Sequence, residues 1–262
     1  MKLKRSRAAS VRLRGWIKSS QFQAEVLVSD NGSTDGSGEI AAGLGARVIF
    51  VKQRGYGAAL MAASRQALGE WIIMADADDS YDLGNLDLFV QQLSKGYDLV
   101  IGNRMKGGIE PGAMPWLNRY IGNPVLSAIG KFLFRAPVGD FHCGMRAYTK
   151  AAFKKMDLRT TGMEFASEMV IKASLFNLQI TEVPTRLFKD GRQGPSHLQP
   201  WRDGWRHLRF MLLFAPQWLF IIPGAVILFL SLPVYLVLMQ GPLQVGGLRF
   251  DIHTLFFSGM GA

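Results

Sequence analysis

Residues 74–83 read MADADDSYDL. Three carboxylates, Asp76, Asp78 and Asp79, follow directly on the apolar run Trp71, Ile72, Ile73, Met74 and Ala75, which has the length and composition of a buried strand. If extended geometry carries past Ala75, alternation points Asp76 and Asp78 the same way, so that two hard oxygen ligands converge at a strand's carboxyl end. That donor set suits a divalent cation holding a diphosphate. A solvated turn or a helix cap also gathers acidic residues, so the meaning of this cluster rests on its surroundings.

Outward from this strand, short apolar runs alternate with amphipathic stretches, the pattern of a layered α/β domain. Residues 26–29, 47–51, 71–75 and 98–102 read as strands, with helices at 36–44, 57–68 and 85–94 between them. This βαβαβαβ order with short connections predicts a parallel sheet. Residues 103–115, with several glycines and two prolines, read as a long loop on the ligand side. Residues 116–134 read as a helix apolar enough to be either core or an element lying at a membrane surface. A strand at 144–148, a helix at 164–176 and a last strand at 179–184 complete the domain. Glu168 and Lys172, at i,i+4 spacing, read as a surface pair.

The 262-residue chain carries a net charge of +10, but Lys2, Lys4, Arg5, Arg7, Arg12, Arg14 and Lys18 precede the first acidic residue, Glu25, leaving +3 for the rest. Such an arm is more often a disordered or membrane-surface segment than a reader of nucleic acid, and no nucleic-acid partner is expected. Cys143 is the only cysteine, which excludes an intrachain disulfide, and it reads as a small buried residue. Ser10 and Arg12 interrupt the apolar residues that a secretory signal needs, so none is predicted. Residues 218–239 carry no formal charge over 22 positions, enough at about 1.5 Å per residue to cross a hydrocarbon layer of roughly 30 Å. Pro223 and Pro233 are compatible with such a span. Just upstream, Trp201, Arg202, Trp205, Arg206, His207, Arg209 and Phe210 mix cations with aromatics as an interfacial helix does, and their arginines put the preceding domain on the cytosolic side.

Residues 29–37 read SDNGSTDGS after the first strand. Asp30 therefore sits at a strand's carboxyl end, where open α/β sheets bind ligands, and its carboxylate suits a nucleobase or ribose. The same segment also reads as a turn rich in capping residues. After Arg54, Gly55, Tyr56 and Gly57 open the next helix, where the backbone either approaches a ligand closely or simply turns. Asp30, Asp76 and Asp78 thus leave the ends of separate strands, as gripping one nucleotide diphosphate at base, ribose and metal requires.

Six segments, VSDNGSTDGS, RGYGAALMAA, MADADDSYD, GNRM, DFHCGMRAY and KDGRQGPSHL, resemble inverting family-two glycosyltransferases of the GT-A fold. Within that group the match is to polyprenyl-phosphate glycosyltransferases, similar to dolichol-phosphate mannose and glucose synthases. The resemblance implies an α/β fold with a Rossmann-like, mainly parallel sheet, helices on both faces and a following membrane helix. It implies a hexose donor (UDP-glucose or GDP-mannose), a dolichyl or undecaprenyl phosphate acceptor, Mg²⁺ or Mn²⁺, and reaction at the cytosolic face of the cell membrane. The expected organisation is a basic arm (1–24), a GT-A catalytic domain (25–199), an interfacial amphipathic helix (200–216), a transmembrane helix (217–240), and a loop with the start of a second membrane segment (241–262).

Carried over residue by residue, the resemblance implies that Asp30 contacts the nucleoside and that Asp76 and Asp78 form the metal-binding Asp-x-Asp pair, with Ser80 where related enzymes offer another oxygen. Asp78, Arg104 and Asp140 are the implied catalytic residues: Arg104 matches a basic residue beside the phosphates, and Asp140 an acidic one near the acceptor. Arg119 resembles a residue that meets the acceptor phosphate. Arg192 and Ser196 resemble the family's Arg-x-x-Gly-x-Ser-Lys loop, although Gly194 stands one place early and His197 replaces the lysine. The family begins with a strand and a Pro-x-x-Asn-Glu loop that have no counterpart here. Residues 11–20 match part of the helix that follows that loop, and a strand encoded upstream is expected.

A lipid phosphate monoester has a second pKa near about 6, so the nucleophile is largely ionised at neutral pH and needs little help from a base. Asp140 therefore reads as an orienting or weakly basic residue, or as a structural one. His142 reads as a packed or solvated histidine, with metal ligation the alternative. Two rivals stand beside the transferase. A polysaccharide synthase would carry Gln-x-x-Arg-Trp, which Gln199, Pro200, Trp201 and Arg202 do not supply. A degenerate, membrane-anchored paralogue would bind nucleotide without turnover.

Overall fold

Leu99, Val100 and Ile101 are wholly buried, and the larger sheet is built around them. Covering such a side chain on both faces contributes about 1.5–3 kcal/mol each. In the computed structural model, residues 2–189, 200–245 and 248–250 are described. The chain divides into two compact units, Met1–Met211 and Leu212–Ala262. The first contains, in order, α1 (Lys2–Ser19), β1 (Leu27–Asp30), α2 (Ser37–Gly43), β2 (Arg47–Phe50), α3 (Tyr56–Gln66), β3 (Trp71–Met74), α4 (Asp87–Ser94), β4 (Leu99–Asn103) and α5 (Arg104–Gly107). A π turn (Asn118–Gly122) leads into α6 (Asn123–Phe134), followed by β5 (Arg146–Thr149), α7 (Lys150–Met156), α8 (Phe165–Leu175) and β6 (Ile180–Pro184). Helix α9 (Pro200–Leu213) comes next.

Strands β1 and β2 pair in parallel as a two-stranded sheet, and the others lie in the order β3-β5-β4-β6. The expected parallel pairing holds for β1 with β2 and for β4 with β6, but β5 runs antiparallel between β3 and β4. The reason lies in the connection. No crossover helix returns the chain to the opposite edge after α6. Arg146 pairs with both Met74 and Ile101, so β5 begins where β3 and β4 end, and the segment leading into it crosses their carboxyl ends. Alternation along β3 does not place the acidic pair either. The strand stops at Met74, and residues 77–79 form a turn in which Asp79 takes a left-handed φ of 65°.

The basic arm is a helix docked on the fold. Ala9 and Trp16, two turns apart on one face, are buried. The Trp16 indole donates to Asp87 Oδ1 at 3.0 Å, and Arg12 pairs with Asp79 at 3.2 Å. Lys, Arg, Ala and Leu favour a helix, and burying the indole holds it against the domain.

The Glu168–Lys172 pair is a correction. The spacing holds, with 2.7 Å between charges, but Glu168 is buried and also accepts from Arg159 N, Thr160 N and the Thr160 hydroxyl. Periodicity says which residues share a helix face, and α8 is enclosed on nearly every face. The aromatics of 116–134 go the other way. Trp116, Tyr120, Val125 and Phe132 are exposed, and only Ser127, Gly130 and Phe134 of α6 are buried.

In the second unit a π turn (Gln217–Ile221) runs into α10 (Ile222–Met239), together 23 residues long and apolar enough to cross a membrane. Pro233 lies inside this helix. Strands β7 (Leu243–Val245) and β8 (Leu248–Phe250) pair as an antiparallel ribbon where a loop is expected. The expected start of a second membrane segment lies outside the described residues.

Candidate active site

The site is assembled from the ends of β1, β3 and β4 and the segment entering β5. Asp30 closes β1, buried, with its Oδ1 accepting from Ser33 N at 2.8 Å. It thus caps its own turn, as one of the two sequence readings has it. The neighbouring Asn31 staples this turn to the next. Its Nδ2 donates to Val51 O at 3.0 Å and Gln53 O at 2.7 Å, and its Oδ1 accepts from Gly55 N at 2.8 Å.

Gly55 and Gly57 answer a question the sequence leaves open. A Cβ on either would strike the backbone oxygens of Thr160 or Thr161, so these glycines allow α3 to approach a loop of the protein rather than a ligand. Glu168 organises that loop through the bonds described above. Burial opposes its ionisation, but the bonds from Lys172 and Thr160 hold its carboxyl below the usual range.

Between these two glycines, Tyr56 stands in the electrostatic field of Asp76. Burial, and then the Asp76 charge, push the Tyr56 pKa well above its ordinary value, so it remains a phenol and a donor. On the other side, a Cβ on Gly144 would fall within Asp76 Oδ2 and within 3.3 Å of the Tyr81 hydroxyl. That hydroxyl accepts from Gly144 N at 3.0 Å. Asp78 Oδ1 accepts from Ser80 N at 3.1 Å, and Ser80 is buried. Asp76 and Asp78 are both half-buried.

Arg104 and Asp140 meet in a two-pronged ion pair, Nε to Oδ2 at 2.7 Å and Nη2 to Oδ1 at 2.8 Å. Oδ2 also accepts from Arg104 N at 3.1 Å, and Oδ1 from His142 N at 3.3 Å. Burial would raise the Asp140 pKa, but the bonds and charge of Arg104 outweigh it and hold the carboxyl below its usual value. Burial alone would lower Arg104, and Asp140 instead raises it. The backbone of this segment is fixed by Glu182 of β6, which accepts from Gly139 N, from Asp140 N at 3.1 Å and from the Asn103 amide at 2.9 Å. Gly130 of α6 lets Phe141 close in, since a Cβ there would stand 2.6 Å from its ring.

Arg146 is a residue that sequence reasoning missed. It is wholly buried, and its guanidinium donates to Cys143 O at 2.9 Å, Ala166 O at 2.5 Å and Phe141 O at 2.6 Å. It holds the carbonyls of the DFHCG segment in place. The available signal was an arginine between the apolar Met145 and Ala147 at the start of a strand. Burial is also the main reason that the His142 pKa is pushed down to about 3, followed by the nearby His207. Its ring nitrogens are buried without a partner among the described residues, and its ring stands edge-on to His207 at 4.6 Å. His142 is therefore a neutral, packed histidine. Cys143 is buried, as expected.

Hydrogen bonds thus connect the turn of Asp30 to Gly55 through Asn31, and close packing sets Asp76 against Gly144 of the segment that carries Asp140. Arg119 stands apart in the π turn, its guanidinium 5.3 Å from the Tyr120 ring. Arg192 and Ser196 lie outside the described residues. No group of three metal-binding side chains occurs among the described residues. Two carboxylates with a nearby hydroxyl nevertheless fit Mg²⁺ or Mn²⁺ of the kind whose remaining ligands are phosphate oxygens and water.

An α/β sheet with an acidic pair at its carboxyl edge defines the GT-A class of glycosyltransferase folds. Solved structures agree. The chain superposes with a TM-score of 0.58 on glucosyl-3-phosphoglycerate synthase from Mycobacterium tuberculosis in complex with Mn²⁺, UDP and glucosyl-3-phosphoglycerate, at 18% identity over 79% of this chain and 75% of that one. A further mycobacterial protein gives 0.61 at 16% identity, over 81% and 71%. Residues 11–157 match the Glycosyl transferase family 2 profile, and the chain belongs to that family. It is 41% identical to the low-salt glycan biosynthesis hexosyltransferase of Haloferax volcanii over 91% of its own length, and spans 58% of that relative. It is 36% identical to the dolichyl-phosphate hexose transferase of the same organism, over 70% of this chain and 77% of the relative. The profile takes in the second half of α1, in keeping with the resemblance of residues 11–20 to a family helix.

Proposed function

We propose that the protein is a membrane-attached inverting hexosyltransferase that moves a sugar from UDP-glucose or GDP-mannose to a polyprenyl phosphate at the cytosolic face. The observation that carries this reading is the convergence of Asp76, packed against Gly144, with the Arg104–Asp140 pair at the carboxyl ends of β3 and β4. The relative named as a dolichyl-phosphate hexose transferase, and α10 as an apolar helix of spanning length, favour a lipid acceptor.

In this reading Asp30 receives the nucleoside, and Asp76 and Asp78, with Ser80 beside them, hold Mg²⁺ or Mn²⁺. The cation, when bound, neutralises charge on the departing diphosphate. Asp140 is saturated by Arg104 and two backbone N–H groups, so it is assigned to positioning rather than to proton abstraction. It spends Nε and Nη2 of Arg104 and turns the Nη1 edge toward an anion. The acceptor phosphate is largely ionised at neutral pH, so the chain's task is to bring two anions together in line and keep water out. Arg119, on a segment with exposed aromatics, is assigned to the acceptor phosphate, with Arg192 and Ser196 beside it.

Membranes containing the protein, incubated with labelled UDP-glucose or GDP-mannose, polyprenyl phosphate and Mn²⁺, should form chloroform-soluble label, and Asp78→Ala should abolish it. Equal label in both would reject the assignment. Nucleotide binding without any lipid-linked label would favour a non-catalytic paralogue.

A further inference from the structure

Helix α1 takes no part in the proposed reaction, yet it and the residues after it brace both flanks of the segment that carries Asp76 and Asp78. Trp16 reaches the start of α4 through Asp87 Oδ1. Phe22 stacks on Trp16, 6.4 Å between ring centroids, and also meets Trp71, the first residue of β3, at 6.2 Å. Arg12 shares the docked face of α1 with Ala9 and Trp16, three and four positions away. Its Nη1 stands 3.2 Å from Oδ1 of Asp79, the residue directly after Asp78 and the one whose φ is left-handed at 65°. Apart from this approach, which falls short of hydrogen-bond geometry, Asp79 Oδ1 is buried with no hydrogen-bond partner among the described residues. The turn is also held at its two ends, where Met74 pairs with Arg146 and Ser80 O accepts from Phe188 N at 2.9 Å.

We infer that Arg12 is a positioning residue for the cation-holding turn: by pairing with Asp79 it fixes the left-handed step after Asp78, and with it the direction of the Asp78 carboxylate. This rests on the reading of Asp76 and Asp78 as the cation-holding pair. Aspartate enters the left-handed region more readily than most residues, but the conformation still costs energy, and a buried carboxylate oxygen without a hydrogen bond costs more. A guanidinium beside that oxygen offsets both. The pairing also engages the third carboxylate of the cluster, which leaves Asp76 and Asp78 to the cation. Since 45% and 28% of the two side chains' area is accessible, the effect is bounded by what a partly exposed ion pair contributes, about fivefold in an equilibrium constant.

The test is Mn²⁺ affinity, read from the electron paramagnetic resonance of free Mn²⁺ on the full chain in detergent with UDP or GDP present. Arg12→Met keeps the apolar stem of the side chain, and Asp79→Asn keeps a residue that adopts the left-handed backbone readily. Each should weaken Mn²⁺ binding by about threefold to fivefold and leave the melting temperature nearly unchanged. The double variant should bind as the weaker single variant does, since one contact is lost in all three. A role through charge alone predicts opposite shifts, because losing a cation near the site tightens Mn²⁺ binding and losing an anion weakens it. Opposite shifts, additive losses in the double variant, or unchanged affinity in either single variant overturn the inference. If Asp78→Ala binds Mn²⁺ as tightly as the unaltered protein, the cation reading falls and the inference with it. If Asp78→Ala loses Mn²⁺ while Arg12→Met does not, only the inference falls. Should Arg12→Met fail to fold, Arg12→Gln takes its place under the same criteria.

Discussion

The guanidinium of Arg104 and the carboxylate of Asp140 are bound to each other by two hydrogen bonds of 2.7 and 2.8 Å, in surroundings that bury both residues. Each satisfies the other in a place where a lone charge would be costly. They come from the end of β4 and from the segment that enters β5, so the pair also joins two parts of the chain 36 residues apart.

Replacing Asp140 by Asn should therefore strand a buried guanidinium and cost about 3 kcal/mol or more of folding stability, measurable by denaturant unfolding. The Asp140 pKa is held below its ordinary 3.8 in the fold. Its contribution is thus fully present above about pH 4 and fades as acidity passes through the folded value. No limb of a pH–rate profile above about pH 5 should belong to Asp140. An alkaline-rising limb in that range that disappears in Asp140→Asn would show it acting as a base after all.

Gly144→Ala tests the packing of Asp76 against this glycine. The added methyl and Asp76 Oδ2 cannot occupy the same space, so the carboxylate must turn. The Mn²⁺ concentration needed for half-maximal transfer should rise about tenfold or more, and an unchanged Mn²⁺ requirement would show that Asp76 need not sit where it does.

His142 is held neutral, with its pKa pushed down to about 3 by burial and by His207. An unfolded histidine takes up its proton near pH 6.5. Below that value the unfolded state therefore binds more protons, and stability falls as pH drops from about 6.5 toward the folded value. His142→Phe, which fills similar space without a titrating group, should flatten that slope between about pH 6.5 and 4 in thermal melts. Parallel melting curves for the two proteins would remove His142 from the acid sensitivity.

Glu168→Gln should release the loop at residues 159–160, because Lys172 loses its charge partner and two backbone N–H groups lose an ionised acceptor. A loss of about 2–3 kcal/mol is expected. The folded Glu168 pKa is lowered, so the stabilisation it gives is present above its ordinary 4.5 and declines as pH falls below that. The difference between variant and unaltered protein should shrink in acid, and a constant difference would contradict the assignment.

Much of the layered domain was legible because alternation of apolar and polar residues is local. Residues 47–51 and 98–102 fall on β2 and β4 within a residue at each end, and the helix expected at 164–176 is α8. The location of Asp30 and of the acidic pair at strand ends was legible for the same reason, since acidic residues directly after apolar runs mark such ends. The orientation of β5 was not, because a strand reads alike in either direction and only its partners decide. Helix α7 was missed between two stronger signals, and charge alone read the basic arm as a disordered or membrane-surface segment, with only residues 11–20 matched to a helix, although Trp16 had a burial site waiting on α4.

The chain's own order of residues thus established the alternating core, the acidic pair after β3, the apolar helix of α10 and the family motifs, all properties of neighbours along the backbone. Tertiary structure alone decided that Asp140 serves Arg104, that Gly144 packs against Asp76, and that Glu168 and Arg146 are buried. Those outcomes depend on atoms tens of residues apart, where burial sets whether a charge must find a partner and packing sets which partner is within reach.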